Sequence, residues 1–302
     1  MIMTKRSRVG DAPWQSTLAA VPEHYRGVWR RTLLQTPQGR DTTSIVYWLQ
    51  TAHWHGDLRI PAHRPDFSGV NRLADCNAEQ MAFLASQQGF AGATDVSVSA
   101  QGELCAWHRR IDLQPSAAGP DAGLMQFTPD QLIETGLYAS YLEHWTSEAG
   151  STTGSVVLQR LQQPQQPQQP QQPQQPQELQ HEQAVEAGDV GASIAALPVE
   201  LLMVAGDSVM HIRGRTATWP PETLAGTQLV QMPQNLLPAL LDFSIAYGQR
   251  TATGWVVEHA THPWLEGRHI ALACEQIGTD QARMQRNGEL SYWQVLEWQE
   301  PR

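Results

Sequence analysis

The residues whose types and spacing could do chemistry are an arginine and a glutamate set among aromatic side chains. Side chains alternate between the two faces of a strand. In 105–113, Cys105, Trp107, Arg109, Ile111 and Leu113 therefore share a face, with His108 opposite. In 141–145, Tyr141, Glu143 and Trp145 share one, with His144 opposite. A charge on an aromatic-rich face is costly unless it is paired. Arg109 and Glu143 are thus expected to meet inside a barrel. They would be either a structural ion pair or the groups that orient a ligand's polar end, with Trp107, Tyr141 and Trp145 as walls. A glutamate base beside an anion-holding arginine also suits proton abstraction or hydrolysis. That makes Arg109 and Glu143 the catalytic candidates as well.

The densest polar cluster is HWHGDLR at 53–59. His53 and His55 are two apart and point the same way on a regular strand. Such a pair binds a metal only when a third ligand arrives from elsewhere, and no residue suggests itself. The other reading is hydrogen-bonded or solvated strand histidines. Asp57 and Arg59 form a same-face pair, worth about 0–1 kcal/mol at a surface but part of a binding wall if they line a pocket. With Trp29 they complete the candidate ligand-binding set. Arg213 and Arg215 are either an anion-binding edge or a solvated outer face. Leu290, Tyr292, Gln294, Leu296 and Trp298 share a face that reads as core or pocket wall. There is no G-x-G-x-x-G, P-loop, H-E-x-x-H or G-x-S-x-G pattern. Lys5, the only lysine, lies in a ragged terminus, which removes Schiff-base chemistry.

These residues sit on short segments with period-2 alternation, punctuated by Gly, Pro, Asp and Asn. Strands are expected near 26–35, 43–50, 55–60, 103–113, 123–128, 138–146 and 154–161. Others are expected near 200–205, 208–215, 239–248, 254–260, 270–275 and 289–299. A helix is expected over 77–90, N-capped by Asn77 with Gln80 three residues on and ending at Gly89. A short helical turn is expected over 129–135. Many short strands with turns between them imply an all-β, mainly antiparallel fold of barrel or sandwich type. Residues 162–176 are five Gln-Gln-Pro triplets. Proline at every third position forbids a regular helix or a central strand, so a solvated insert or linker is expected over 162–190. It would separate a first unit (23–161) from a second (191–302), with residues 1–22 as a flexible terminus.

Composition narrows the partners. The chain has 302 residues, 20 basic against 30 acidic, and a formal net charge of -10. It lacks the basic stripe a nucleic-acid binder needs and the polybasic segment of a membrane anchor. Its 3 cysteines, Cys76, Cys105 and Cys274, show no C-x-x-C spacing and fit buried thiols in a reducing compartment. No apolar run suits a signal peptide or a membrane span, so a cytoplasmic location is expected. Eleven tryptophans are core pieces or walls for a flat ligand.

Gly27-Val28-Trp29 on the first strand resembles the opening of lipocalin-like (calycin) barrels, in which the Trp closes one barrel end and a later Arg packs over it. The run 27–50, DLRIP at 57–61, VAGDSVMHIRGR at 204–215, DFSIAYG at 242–248 and GWVVEHATHPWLEGR at 254–268 look like an uncharacterised bacterial family. That likeness spans most of 25–300 outside the Gln-Gln-Pro tract. The bacterial family in turn resembles the fungal HRI-type proteins, kinase-interacting proteins made of two lipocalin-like barrels. The resemblance implies two packed calycin-like barrels with one short helix and transfers no catalytic residue. Three readings follow: a barrel binding a small apolar or aromatic ligand, an enzyme using the same cavity, or a module that binds a protein partner. No cofactor is called for by any motif. A haem, by analogy with haem-carrying calycins, would need His108, His144 or His259 as axial ligand.

Overall fold

Alternating apolar and polar residues make every long strand two-faced, and two covered faces per strand need two cores. The computed structural model describes residues 17–115, 119–161, 199–270, 274–286 and 289–300. It is built almost wholly from antiparallel strands. The first unit contains β1 (Gly27–Thr36), β2 (Gly39–Asp41), β3 (Ile45–Gln50), β4 (Trp54–Ile60), β5 (Gln88–Ser99), β6 (Gly102–Asp112), β7 (Ala122–Phe127), β8 (Leu132–Gly136) and β9 (Leu142–Ser147). Each strand pairs with its neighbour, and β9 returns to β1, closing a barrel of eight strands with β2 as a spur on β1.

The second unit contains β10 (Ser155–Arg160), β11 (Glu200–Ala205), β12 (Ser208–Arg213), β13 (Ser244–Thr251), β14 (Gly254–Ala260), β15 (His269–Ile270), β16 (Cys274–Gln276), β17 (Gln281–Arg286) and β18 (Glu289–Gln299). Its sheet runs β15-β14-β13-β12-β11-β10-β18-β17-β16. The same meander is followed, but among the described residues no pairing joins its two ends, β15 and β16. The result is a curled half-barrel. Since β10 pairs with both β11 and β18, the second unit begins before the Gln-Gln-Pro tract, not after it. The boundary expected at residue 161 is corrected accordingly. The tract itself lies outside the described residues and joins β10 to β11.

The units share a bulge. Ala91 pairs with Ile111 but Gly92 with Arg109, leaving Arg110 extra; Tyr247 pairs with His259 but Gly248 with Val257, leaving Glu258 extra. A Cβ at Gly92 would run into the His108 carbonyl, and one at Gly248 into the Val256 carbonyl. Glycine is therefore the residue that lets the backbones close at each bulge.

One core lies inside the first barrel: Val21, Tyr25, Trp29, Val46, Trp48, Cys105, Trp107, Met125, Leu132 and Trp145. Val21 is buried there and its N–H donates to the Ala52 carbonyl, so order begins before the expected end of a flexible terminus at 22. A second core joins the units, combining Tyr47, Leu49, Leu58 and Ile60 with Leu201, Met203, Met210, Ile212 and Ile245. Tyr47 stacks on Tyr247 at 4.0 Å. Gly56 admits the close approach, since a Cβ there would lie 2.7 Å from the Met210 sulfur. Buried Glu297 of β18 stitches the same seam. It accepts from the Thr51 hydroxyl at 3.0 Å, the Ala52 N–H at 3.0 Å and the Ser155 hydroxyl at 2.6 Å.

Helix α1 (Ala78–Ser86) opens with the expected cap: Asn77 accepts from the Gln80 N–H and Gln80 from the Asn77 N–H. It stops at Ser86, short of the expected Gly89, because Gln88–Phe90 are claimed by β5. A second helix, α2, is the single turn Leu237–Leu240. The helical turn expected over 129–135 is instead the strand β8. No described helix is long and apolar enough to cross a membrane.

Candidate functional site

The interior of the first barrel collects most of the expected site residues and fills itself with them. Trp48 meets Trp107 and Trp145 edge-on, with ring centroids 5.6 and 5.9 Å apart. Trp29 lies near one end, its Nε1–H donating to the Tyr25 carbonyl at 2.8 Å. The arginine stacking falls on Phe90, not on Trp29: the Arg109 guanidinium lies 3.5 Å from the Phe90 centroid.

Three arginines and their carboxylates occupy the other end. Arg59 grips Asp57 with two hydrogen bonds of 2.8 and 3.1 Å. Arg31 donates to Glu143 at 2.6 Å and to Asp41 at 2.9 Å, and Arg59 approaches Glu143 at 3.5 Å. Arg109 bonds Asp121 at 2.6 and 2.9 Å and Asp112 at 3.0 Å. The expected Arg109–Glu143 pair is therefore not made. Two features of the structure explain it. Arg31, from β1, takes Glu143 instead. The bulge at Arg110 sends Ile111 outward and turns Asp112 inward, beneath Arg109.

Glu134 of β8 faces Glu143 across the sheet. Tyr141 Oη donates to its Oε1 at 2.7 Å and Trp145 Nε1 to its Oε2 at 3.1 Å. Burial, reinforced by the Glu143 charge, pushes the Glu134 carboxyl up to about 8. At neutral pH it holds a proton.

His55 also points inward. Gln50 Oε1 accepts from Trp48 Nε1 and from the Thr94 hydroxyl, at 3.2 and 2.8 Å. Thr94 has then spent its only hydrogen, so the 3.0 Å contact to His55 Nδ1 requires Nδ1–H. Burial, with Arg109 and His108 nearby, holds the His55 pKa well below its usual value. His53 turns away and bonds Glu297 at 3.3 Å. The two histidines share no site, and no metal-ligand cluster occurs among the described residues. His108 is exposed, His144 is on the opposite face from Glu143, and His259 stacks on Tyr47 in the seam. They face no common cavity.

A pocket of about 10 Å³ lies in this barrel between Trp48, Asp57, Arg59, Phe90, Trp107 and Glu134. That is room for one water at most.

The second unit differs. The concave face of its sheet encloses about 320 Å³, the lower end of small-molecule sites. Leu202, Ala246, Val257, Ile270, Met284 and Trp293 supply apolar walls. At one side lies a polar group. Glu200 Oε1 meets His211 Nε2 at 2.8 Å, and its Oε2 accepts from Arg160 at 2.8 Å. Burial works to raise the Glu200 carboxyl, but the His211 hydrogen bond and charge, with Arg160, bring it down to about 2. Arg268, His269 and Glu289 stand at the rim.

No protein-family model, curated protein or solved structure matches the chain.

None of the cavity-lining residues was among the expected site residues. Of the face expected on the last strand, Leu290 and Tyr292 are exposed, whereas Ser291 and Trp293, on the other face, line the concavity. A signal was present. The turn Gly206-Asp207 pairs Ala205 with Ser208, and counting back from it puts Leu202 opposite His211, one diagonal step from Glu200. Arg213 is bound by Asp242 at 2.7 Å, and Arg215 donates to the Asp112 and Leu113 carbonyls across the seam. Neither forms an open anion-binding edge.

Proposed function

We propose that this protein binds a small, largely apolar molecule in the concavity of its second unit. The observation that carries the reading is the volume of about 320 Å³ with apolar walls and one ion-paired side, against a pocket of about 10 Å³ among the aromatic and ion-paired side chains of the first barrel. The ring-like meander in both units and Trp29 near the end of the first barrel support the lipocalin-like resemblance. In that reading the first barrel is the filled partner and the second the carrier. Arg31, Arg59 and Arg109 are committed to carboxylates, which supports a scaffolding role for that interior.

Native mass spectrometry on freshly purified full-length protein tests the proposal. A co-purifying mass, or uptake of added decanol, is expected, and Ala246→Trp should abolish it while the fold persists. Ala246 lines the concavity and is 3% exposed, so an indole there occupies the ligand's space. Absence of both adducts, or an adduct untouched by Ala246→Trp, would overturn the reading.

A further inference from the structure

We infer that the ligand of this concavity is an amphipathic monoanion, a carboxylate on an apolar chain or ring, and that Arg268 receives its charge. The inference rests on the reading of the concavity as a small-molecule site. It follows from which charges there are already spent.

Six charged or titratable side chains line the space: Arg160, Glu200, His211, Arg268, His269 and Glu289. Both oxygens of Glu200 are occupied, one by His211 and one by Arg160. A cationic ligand would have to displace an existing partner to use that carboxylate. Arg160 is held by Glu200 on Nη1, and its Nη2 lies 3.9 Å from Glu289. Glu289 is 79% exposed and solvated at the rim. Among the described residues, Arg268 is the arginine at this cavity with no ion pair.

Its backbone is fixed even though its side chain is exposed. The Arg268 N–H donates to the Leu265 carbonyl at 3.2 Å, and its carbonyl accepts from the Val257 N–H at 2.9 Å. The cation is thereby tethered beside Val257 and Ile270, two residues of the apolar wall. A ligand with its apolar body on Leu202, Met284 and Trp293 and its anion at the rim satisfies both surfaces. A neutral apolar molecule satisfies only one.

Calorimetric titration of the full chain with decanoate and with decanol tests this. Decanoate should bind about fivefold more tightly than decanol, the advantage of one exposed charge pair. Arg268→Gln should remove that advantage and leave decanol affinity unchanged. Ala246→Trp should abolish both. Equal affinities in the wild-type chain, or a decanoate preference that survives Arg268→Gln, would overturn the anion inference while the site stands. Failure of both probes to bind, or binding indifferent to Ala246→Trp, would overturn the site and the inference with it.

Discussion

The two units follow the same strand order and carry the same glycine-dependent bulge, yet one is full and the other open. In the first, β9 pairs with β1 and the ring closes. Three indoles and three arginine–carboxylate clusters then consume the interior. In the second, no pairing among the described residues joins β15 to β16, and the concave face holds about 320 Å³. Charges follow the same division. Glu143 and Asp57, in the closed unit, are 2% and 3% exposed and must be neutralised on site. Glu200, in the open unit, is 12% exposed and is paired with His211 and with Arg160, itself 42% exposed. On the proposed function, the shared topology serves as scaffold in the first unit and as container in the second.

The sharpest way to break this comparison is to remove a charge from each interior. Arg31→Met leaves Glu143 and Asp41 without their 2.6 and 2.9 Å partner. Its expected cost is about 3–5 kcal/mol in denaturant unfolding. A loss well below 1 kcal/mol would mean the closed barrel is wetter than described.

A second effect is pH-dependent. The Glu134 carboxyl, normally near 4.5, sits at about 8 in the folded chain. Between those values the folded chain holds a proton that the unfolded chain has released. This group's contribution to stability is therefore greatest below about 4.5 and declines as pH rises to about 8. Glu134→Gln, which keeps the size of the side chain but cannot titrate, should flatten that decline by a few kcal/mol across the window. An unchanged pH profile would place the proton elsewhere.

Glu297→Ala strips the acceptor from Thr51, Ala52 and Ser155 at the seam and should cost about 2 kcal/mol. Both units should lose stability together in thermal unfolding. The smallest effect belongs to Arg160→Met, at most about 1 kcal/mol, because His211 still holds Glu200.

Much of the fold was legible because alternation and turn residues mark strands locally. Asn77 and Gln80 marked the helix start in the same way. The site was legible only in part, and the reasons are physical. Bulges at Arg110 and Glu258 leave no local signature, yet each reverses which side chains face inward beyond it. Strand β8 was mistaken for a helical turn, which hid Glu134. Arg109 was matched to Glu143 because both sat on aromatic faces, although pairing in a barrel depends on closure that alternation does not encode. Asp57 and Arg59 were paired correctly because two residues on one strand need no tertiary knowledge. The concavity is not legible in the sequence because its walls are gathered from strands as far apart in the chain as β11, β14 and β18, a juxtaposition that no local pattern encodes.

The most direct test of the division into filled scaffold and open container is to titrate decanol and decanoate into protein with nitrogen-15-labelled tryptophan indoles. Trp293 lines the concavity and its Nε1–H donates to Ser291 at 3.0 Å. Its resonance should move with ligand, while those of Trp48, Trp107 and Trp145 stay fixed. Movement of the three barrel indoles with Trp293 unchanged would contradict the account, placing the ligand in the unit that is full here.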